Sequence, residues 1–288
     1  MASSGMTYAG ISQRCWIFMP RFPDHAIWSA AIKNAAGAAG FISGEFLSAQ
    51  EVHPAAGDRS VLLVDSPDSL SSAHEDDEVV VLLTPDALTL PPWEQGTELR
   101  HEHVKRLTDQ ICQAKRRGNA RLILASEASE FIVELISNVS FIQPAVGPGG
   151  ALVRALSVFD ERCAHWPADL FTLGAKQQRT ESGQILDVTG RPRFLVFGPY
   201  FTLPSGRWRS SFRISFDEPA SRMNYWLDWG GVAEYARVPF RPGKPGMYEI
   251  SLIHDVEDSE AFEMRLVLTE GAFQGTIIFA GIDVSAVG

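Results

Sequence analysis

Over the first half of the chain, unbroken apolar runs alternate with stretches of helical spacing; beyond about residue 190 the apolar period falls to two. Cys15–Met19 is a short apolar run stopped by Pro20, which suits a buried strand. Pro23 and Asp24 open an Ala-rich helix from about His25 to Phe41, with Ile27, Ala31, Ile32 and Ala35 at helical spacing. Val61–Val64 and Val79–Leu83 predict two more strands. Between them Glu75, Asp76, Asp77 and Glu78 predict a hydrated acidic turn. Leu99, Val104, Leu107 and Ile111 mark the buried stripe of a helix over 97–117, which Arg116, Arg117, Gly118 and Asn119 bring to a basic last turn and a stop. Arg121–Ala125 predicts a strand. Ser126 is placed to cap a helix from Glu127 to Ile136, Val139–Ile142 reads as a further strand, and Gly147–Gly150 precedes a helix from Ala151 to Cys163. Continuous apolar strands, each followed by a helical pattern, predict a parallel sheet covered by helices: an α/β domain of Rossmann-like, doubly wound kind over residues 1–163.

Residues 164–191, with Pro167, Gly174, Gly183 and Gly190 scattered through polar sequence, read as a linker. From there the alternation is strict. Trp208, Ser210, Phe212, Ile214 and Phe216 fall on one face of a strand, and Arg207, Arg209, Ser211, Arg213 and Ser215 on the other. Tyr248, Ile250 and Leu252 repeat the pattern, as do Phe262, Met264, Leu266 and Leu268. Turn residues separate them at Pro204–Gly206, Pro242–Gly246 and Glu270–Gly271. Residues 192–288 therefore predict an all-β domain, an antiparallel β-sandwich or jelly roll.

Composition narrows the function classes. A net charge of −10 makes a phosphate-tracking nucleic-acid binder a poor fit. No segment approaches the ~18 uninterrupted apolar residues of a membrane span, and the amino end has no basic start followed by an apolar run, so no secretory leader is expected. Cys15, Cys112 and Cys163 are far apart and in no C-x-x-C pattern, which predicts reduced thiols in a cytoplasm and no zinc module. No P-loop, nucleophile elbow or metal motif occurs, so neither cofactor nor metal is expected.

The run Phe197-Gly198-Pro199-Tyr200-Phe201-Thr202-Leu203-Pro204-Ser205-Gly206-Arg207-Trp208 resembles the opening hairpin of jelly-roll domains related to carbohydrate-binding modules. Glu263-Met264-Arg265, Gly271-x-Phe273-x-Gly275 and Phe279-x-Gly281 resemble the closing strands of such domains. Domains of this kind are attached to bacterial polysaccharide-biosynthesis proteins and glycosyltransferases. The resemblance implies a glycan, or a protein of polysaccharide assembly, as partner; it covers only the last third of the chain.

Candidate site residues fall in two groups. On the strand Met223–Gly230 the odd positions Met223, Tyr225, Leu227 and Trp229 read as core, and the even positions set Trp226 between Asn224 and Asp228. An indole plate covers sugar C–H groups while amide and carboxylate meet hydroxyls; the alternative is an indole covered by a loop or by the first domain. Arg207 and Arg209, which share one polar face with Arg213, are candidates for an acidic sugar; the alternative is a solvated strand face whose three arginines pair with Glu249 or Glu263 across the sheet. In the first domain Asp65, Ser66, Asp68, Thr84, Asp86 and Ser126 follow strands, where open α/β sheets bind nucleotides; the same residue types serve as helix caps. Three functions follow: a non-catalytic carbohydrate-binding or scaffold protein of cell-surface polysaccharide assembly, a glycosyltransferase-like enzyme using a sugar nucleotide at the strand-end crevice, or a structural interaction module.

Overall fold

A computed structural model describes residues 14–45, 59–90, 96–117, 120–124, 132–136, 139–142, 151–174, 177–180, 183–231 and 235–288. Contacts divide the chain into two compact units: residues 1–88 with 113–148, and residues 89–112 with 149–288.

The first unit holds β1 (Arg14–Phe18), α1 (His25–Ala38), β2 (Ile42–Glu45), β3 (Ser60–Val64), β4 (Glu78–Leu83) and the short helix α2 (Pro85–Leu88). Past α3 (Thr97–Lys115), the chain returns to it for β5 (Arg121–Leu124), β6 (Ile132–Ile136) and β7 (Val139–Ile142). Five strands pair in the order β2-β3-β1-β4-β5, every pairing parallel. The apolar runs form the middle of this sheet: Cys15–Phe18, Val61–Val64 and Val79–Leu83 are buried throughout, as a sheet covered on both faces requires. The order has β3 beside β1, where the dinucleotide-binding arrangement places its second strand; the parallel sheet is present, and β2, unforeseen, is its short edge.

Local readings differ at three places. In α1 the buried face is Trp28, Ile32 and Ala36, and Ile27 is exposed. Asp77, expected in a hydrated turn, is buried and accepts hydrogen bonds from the Trp16 indole N–H at 2.9 Å and the His74 amide at 2.7 Å. The end of the helix expected over Glu127–Ile136 is instead β6, paired antiparallel with β7; Ile132, Val133 and Ile136 are β-branched, and such side chains favour strands. Gly118, Asn119, Ser126 and Gly147–Gly150 lie outside the described residues.

The second unit continues with α4 (Ala151–Leu156), α5 (Val158–Glu161), β8 (Cys163–Trp166), β9 (Thr172–Leu173), β10 (Gln177–Thr180), β11 (Gly183–Asp187), β12 (Arg193–Leu203), β13 (Gly206–Phe216), β14 (Tyr225–Gly230), β15 (Tyr235–Phe240), β16 (Gly246–Val256), β17 (Glu260–Leu268) and β18 (Thr276–Ala286). Two antiparallel sheets form a β-sandwich. One runs β10-β11-β18-β13-β16, with β8 also paired to β18; the other runs β15-β14-β17-β12-β9. The alternating pattern is realised: Trp208, Phe212, Ile214 and Phe216 of β13 are buried, as are Tyr225, Leu227 and Trp229 of β14 and Phe262, Met264, Leu266 and Leu268 of β17. Met223 precedes β14 and is half-buried. Gly206 has φ 142°, so the Pro204–Gly206 turn uses a conformation other residues avoid.

The expected linker over 164–191 is part of the sandwich. Trp166 is fully buried, 4.6 Å from the Phe201 ring centroid and 5.6 Å from that of Trp229. Its strand is too short for periodicity to stand out, and β11 hides its alternation, Gln184 and Leu186, continued by Val188 just beyond it, among polar neighbours. At Gly281 a Cβ would lie 2.3 Å from the Trp166 carbonyl oxygen, so β8 and β18 meet only because that position has no side chain. The single helix expected from Ala151 to Cys163 breaks at Ser157, whose hydroxyl donates to the carbonyls of Arg154 and Cys163.

Helix α3, expected to cover the parallel sheet, contributes 97–112 to the second unit. Its buried stripe is Arg100, His103, Val104, Leu107, Thr108, Ile111 and Cys112, which leaves Leu99 exposed. Strand β9 pairs with β12 only at Val196 and Phe197, and beyond it the edge of β12 meets the helix. The Thr202 amide donates to Thr108 Oγ1 at 2.9 Å, its carbonyl accepts from the Cys112 thiol at 3.7 Å, and its hydroxyl donates to Asp109. A sheet edge buried without such partners leaves costly orphan groups.

Candidate functional site

The outward face of the second sheet follows from register. Trp226 stands opposite Pro239 of β15 and Val267 of β17, and Val267 stands opposite Phe194 of β12. Trp226 is 41% exposed and Phe194 50%. They are two strands apart, roughly 10 Å at ordinary strand spacing. The next row is Arg237, Asp228, Arg265 and Phe197.

Asp228 is only 1% exposed although it lies on the outward side. Its carboxylate accepts two hydrogen bonds from Arg237, from Nε at 2.7 Å and Nη2 at 2.8 Å. The same guanidinium sits 4.6 Å from the Trp226 ring centroid, a contact worth about 0.5–1 kcal/mol at an exposed site. The carboxylate raises the Arg237 pKa further above its ordinary value. Arg265, across Asp228 on β17, donates to Glu263. Beyond it Tyr200 is pushed up to about 12 by burial and by the Glu263 carboxylate.

Helix α3 closes the far end of this face. The His101 ring lies 4.6 Å from that of Tyr200 and 5.8 Å from that of Phe197, and its Nε2 is 2.9 Å from Thr172 Oγ1. Burial lowers its pKa to about 4. Arg100 donates to the Asp169 carbonyl at 2.8 Å.

The five residues proposed for carbohydrate do not form one site. Trp226 and Asp228 share a face, and Asn224 just precedes them. The Asn224 backbone amide and Nδ2 both donate to Glu270 Oε1, at 2.8 and 2.9 Å. Arg207 and Arg209 stand on the outward face of the other sheet, because β13 belongs to that sheet. There Arg207 pairs with Asp255 at 3.6 Å, and Asp283 takes Arg213 and the His165 imidazole, the latter at 2.7 Å. Arg213 does not pair with Glu249, which is merely opposite it in register. Arg237 was missed; its signal is the period-two spacing Tyr235, Arg237, Pro239 opposite the Trp226 strand.

In the first unit, Asp65, Thr84 and Asp86 lie at the carboxyl ends of β3 and β4, the strands flanking β1. Asp65 pairs with Arg21 at 2.7 Å. Thr84 is buried; its hydroxyl donates to Asp24 at 2.7 Å, and the Asp86 amide donates to the same carboxylate at 3.2 Å. Asp24 therefore ties two strand-end loops together and makes no cap bond to its own helix. Ser66 acts as a cap, accepting from the Asp68 amide at 3.3 Å, and Asp68 is exposed. Ser126 is outside the described residues. His25, lowered by burial, lies within the field of Glu45, Arg21, Asp65 and Asp24. Arg21, Asp24 and His25 were missed, although their packing just after the first strand is visible as Arg21-Phe22-Pro23-Asp24-His25.

Among the described residues no group of three or more His, Cys, Asp or Glu is placed to hold a metal ion, and no helix is long and apolar enough to cross a membrane. No family model matches the chain, and no curated protein matches it. Solved structures similar to it include carbohydrate-binding modules. A C-terminal module of a laminarinase from Zobellia galactanivorans is 12% identical, with 43% of this chain and 98% of that one covered and a TM-score of 0.30. A module of lichenase 5A from Cellvibrio mixtus, in complex with cellotriose, is 15% identical, with coverage of 42% and 95% and a TM-score of 0.26. A third, TmCBM61 in complex with β-1,4-galactotriose, is 10% identical, with coverage of 44% and 84% and a TM-score of 0.29. Values this low carry no argument from those proteins to this one.

Proposed function

We propose that the sandwich unit is a non-catalytic glycan-binding module, and that it holds its ligand on the outward face of the β15-β14-β17-β12-β9 sheet around Trp226. The observation that carries this reading is an exposed indole beside a buried carboxylate that holds an exposed guanidinium, on a face that also bears the exposed Phe194. Apolar ring surface with a few fixed polar groups is what a sugar ring requires. A role in polysaccharide assembly in a bacterial cytoplasm extends this proposal. The test is affinity electrophoresis and calorimetry of the full chain against a polysaccharide panel, with Trp226→Ala as the variant. Binding that falls at least tenfold in the variant supports the reading, and binding of no glycan sinks it.

A second reading has its own observation. Asp65, Thr84 and Asp86 meet Arg21, Asp24 and His25 at the strand ends beside β1, where open parallel sheets hold ligands. That cluster supports a sugar nucleotide as ligand of the first unit, used by a glycosyltransferase-like activity. A thermal-shift panel of nucleotides and sugar nucleotides tests it, since a ligand that binds only the native state raises its apparent stability.

A further inference from the structure

Arg237 is held by two neighbours before any ligand arrives. Its Nε and Nη2 edge is taken by Asp228, a carboxylate that is itself buried. One face of the guanidinium lies against Trp226. The side chain is nonetheless 48% exposed, and among the described residues Nη1 has no partner. An arginine on an exposed strand ordinarily samples many rotamers, and ordering it costs free energy on binding. Here two hydrogen bonds and a ring contact already restrict the side chain, and Nη1 is left for a ligand. A guanidinium presented this way matches the planar geometry of a carboxylate, and charge-assisted bonds of this kind are roughly twice as strong as neutral ones.

The arrangement also disfavours a plain stacking platform. An indole that stacks on a neutral sugar offers a bare face, and in this protein one face is shared with a cation. The row continues through Asp228 to Arg265, whose guanidinium donates to Glu263 and lies 5.9 Å from the Phe194 ring centroid. The chain's charge of −10 opposes an acidic polymer at long range, but at physiological salt that field is screened beyond about 8 Å. The contact is decided locally.

We propose that the glycan held at Trp226 carries carboxylates, as a uronic acid polymer does, and that Arg237 reads them through its outward edge. This rests on the glycan-binding reading above. The experiment titrates the full chain with polygalacturonate, alginate and hyaluronate, with fully methyl-esterified polygalacturonan as a control that keeps the backbone and removes the charge, and with a neutral β-glucan and a galactan. The expected result is binding to at least one free acid, weakened severalfold between 50 and 500 mM NaCl on the order of the screening above. For polygalacturonate, no measurable binding of its ester accompanies this result. Arg237→Gln loses at least tenfold, and Arg237→Lys nearly as much, because an ammonium cannot reproduce a planar fork resting on a ring. Arg237→Gln leaves Asp228 buried without its partner, so the double variant Asp228→Asn, Arg237→Gln removes both charges and keeps the test independent of folding. Equal binding of polygalacturonate and its ester, or binding of the neutral glycans alone, overturns the carboxylate inference and leaves glycan binding standing. Binding of none of the six overturns both.

Discussion

Replacing Asp77 tests how the amino-terminal sheet is anchored. The carboxylate is 4% exposed, and a single oxygen, Oδ2, receives both the Trp16 indole N–H and the His74 amide. Trp16 is fully buried in the central strand, so in Asp77→Ala its N–H loses this acceptor in a place water does not reach. A buried donor left unpaired costs about 1–3 kcal/mol. His74 is exposed, so its amide can turn to water and adds a bond's net value of about 1 kcal/mol. The sum is about 2–4 kcal/mol. Asp77→Asn can keep its carbonyl oxygen where both donors converge, and the expected loss is about 1 kcal/mol. Asp76, whose side chain is 87% exposed, supplies the control: Asp76→Ala changes stability by no more than about 0.5 kcal/mol. Urea unfolding followed by tryptophan emission reads the difference. At a slope of roughly 2 kcal/mol per molar, the alanine variant at Asp77 moves the first-unit midpoint down by about 1–2 M. Equal midpoints for Asp77→Ala and Asp76→Ala refute the reasoning.

Trp166→Ala removes a fully buried ring from the sandwich core and is expected to cost about 3–5 kcal/mol; thermal unfolding reads it, and a linker residue would show no change. Thr108→Val leaves the Thr202 amide without its acceptor and is expected to lose about 1–3 kcal/mol in chemical denaturation, with Thr108→Ser restoring most of it. For His101 burial lowers the pKa from 6.5 to about 4. The unfolded chain then binds the proton first, so the stability contribution is present above 6.5 and is lost as pH falls toward 4. His101→Gln therefore flattens the stability profile over that window, and an unchanged profile counts against the buried imidazole.

The sandwich strands were legible because one face of each is core and the other is solvent, which writes a period of two into β13 and β17. The middle of the parallel sheet was legible for the opposite reason, since strands buried on both sides are apolar throughout. What escaped were segments whose partners are far away in sequence. β8 is four residues long, and Trp166 has meaning only beside Phe201 and Trp229. α3 carries an amphipathic pattern that says a face is buried but not against what; its buried stripe includes Arg100, an arginine no hydropathy pattern places inside. The site was half legible. Alternation put Trp226 and Asp228 on one face, but not which sheet holds Arg207 and Arg209, since β13 and β14 follow one another in the chain and fall in opposite layers. Asp228 reads as a solvent-facing acid until Arg237 is brought beside it.

Because the strand layers recruit residues 89–112 from upstream of the stretch 113–148, no single cut in the chain releases either unit whole. A fragment beginning at residue 192 would forfeit the helix that hydrogen-bonds the rim at Thr202, together with the strands of Trp166 and Leu186. Anyone isolating the sandwich unit for study should carry its helical buttress along, either in the entire chain or rejoined by a designed bridge across the excised segment.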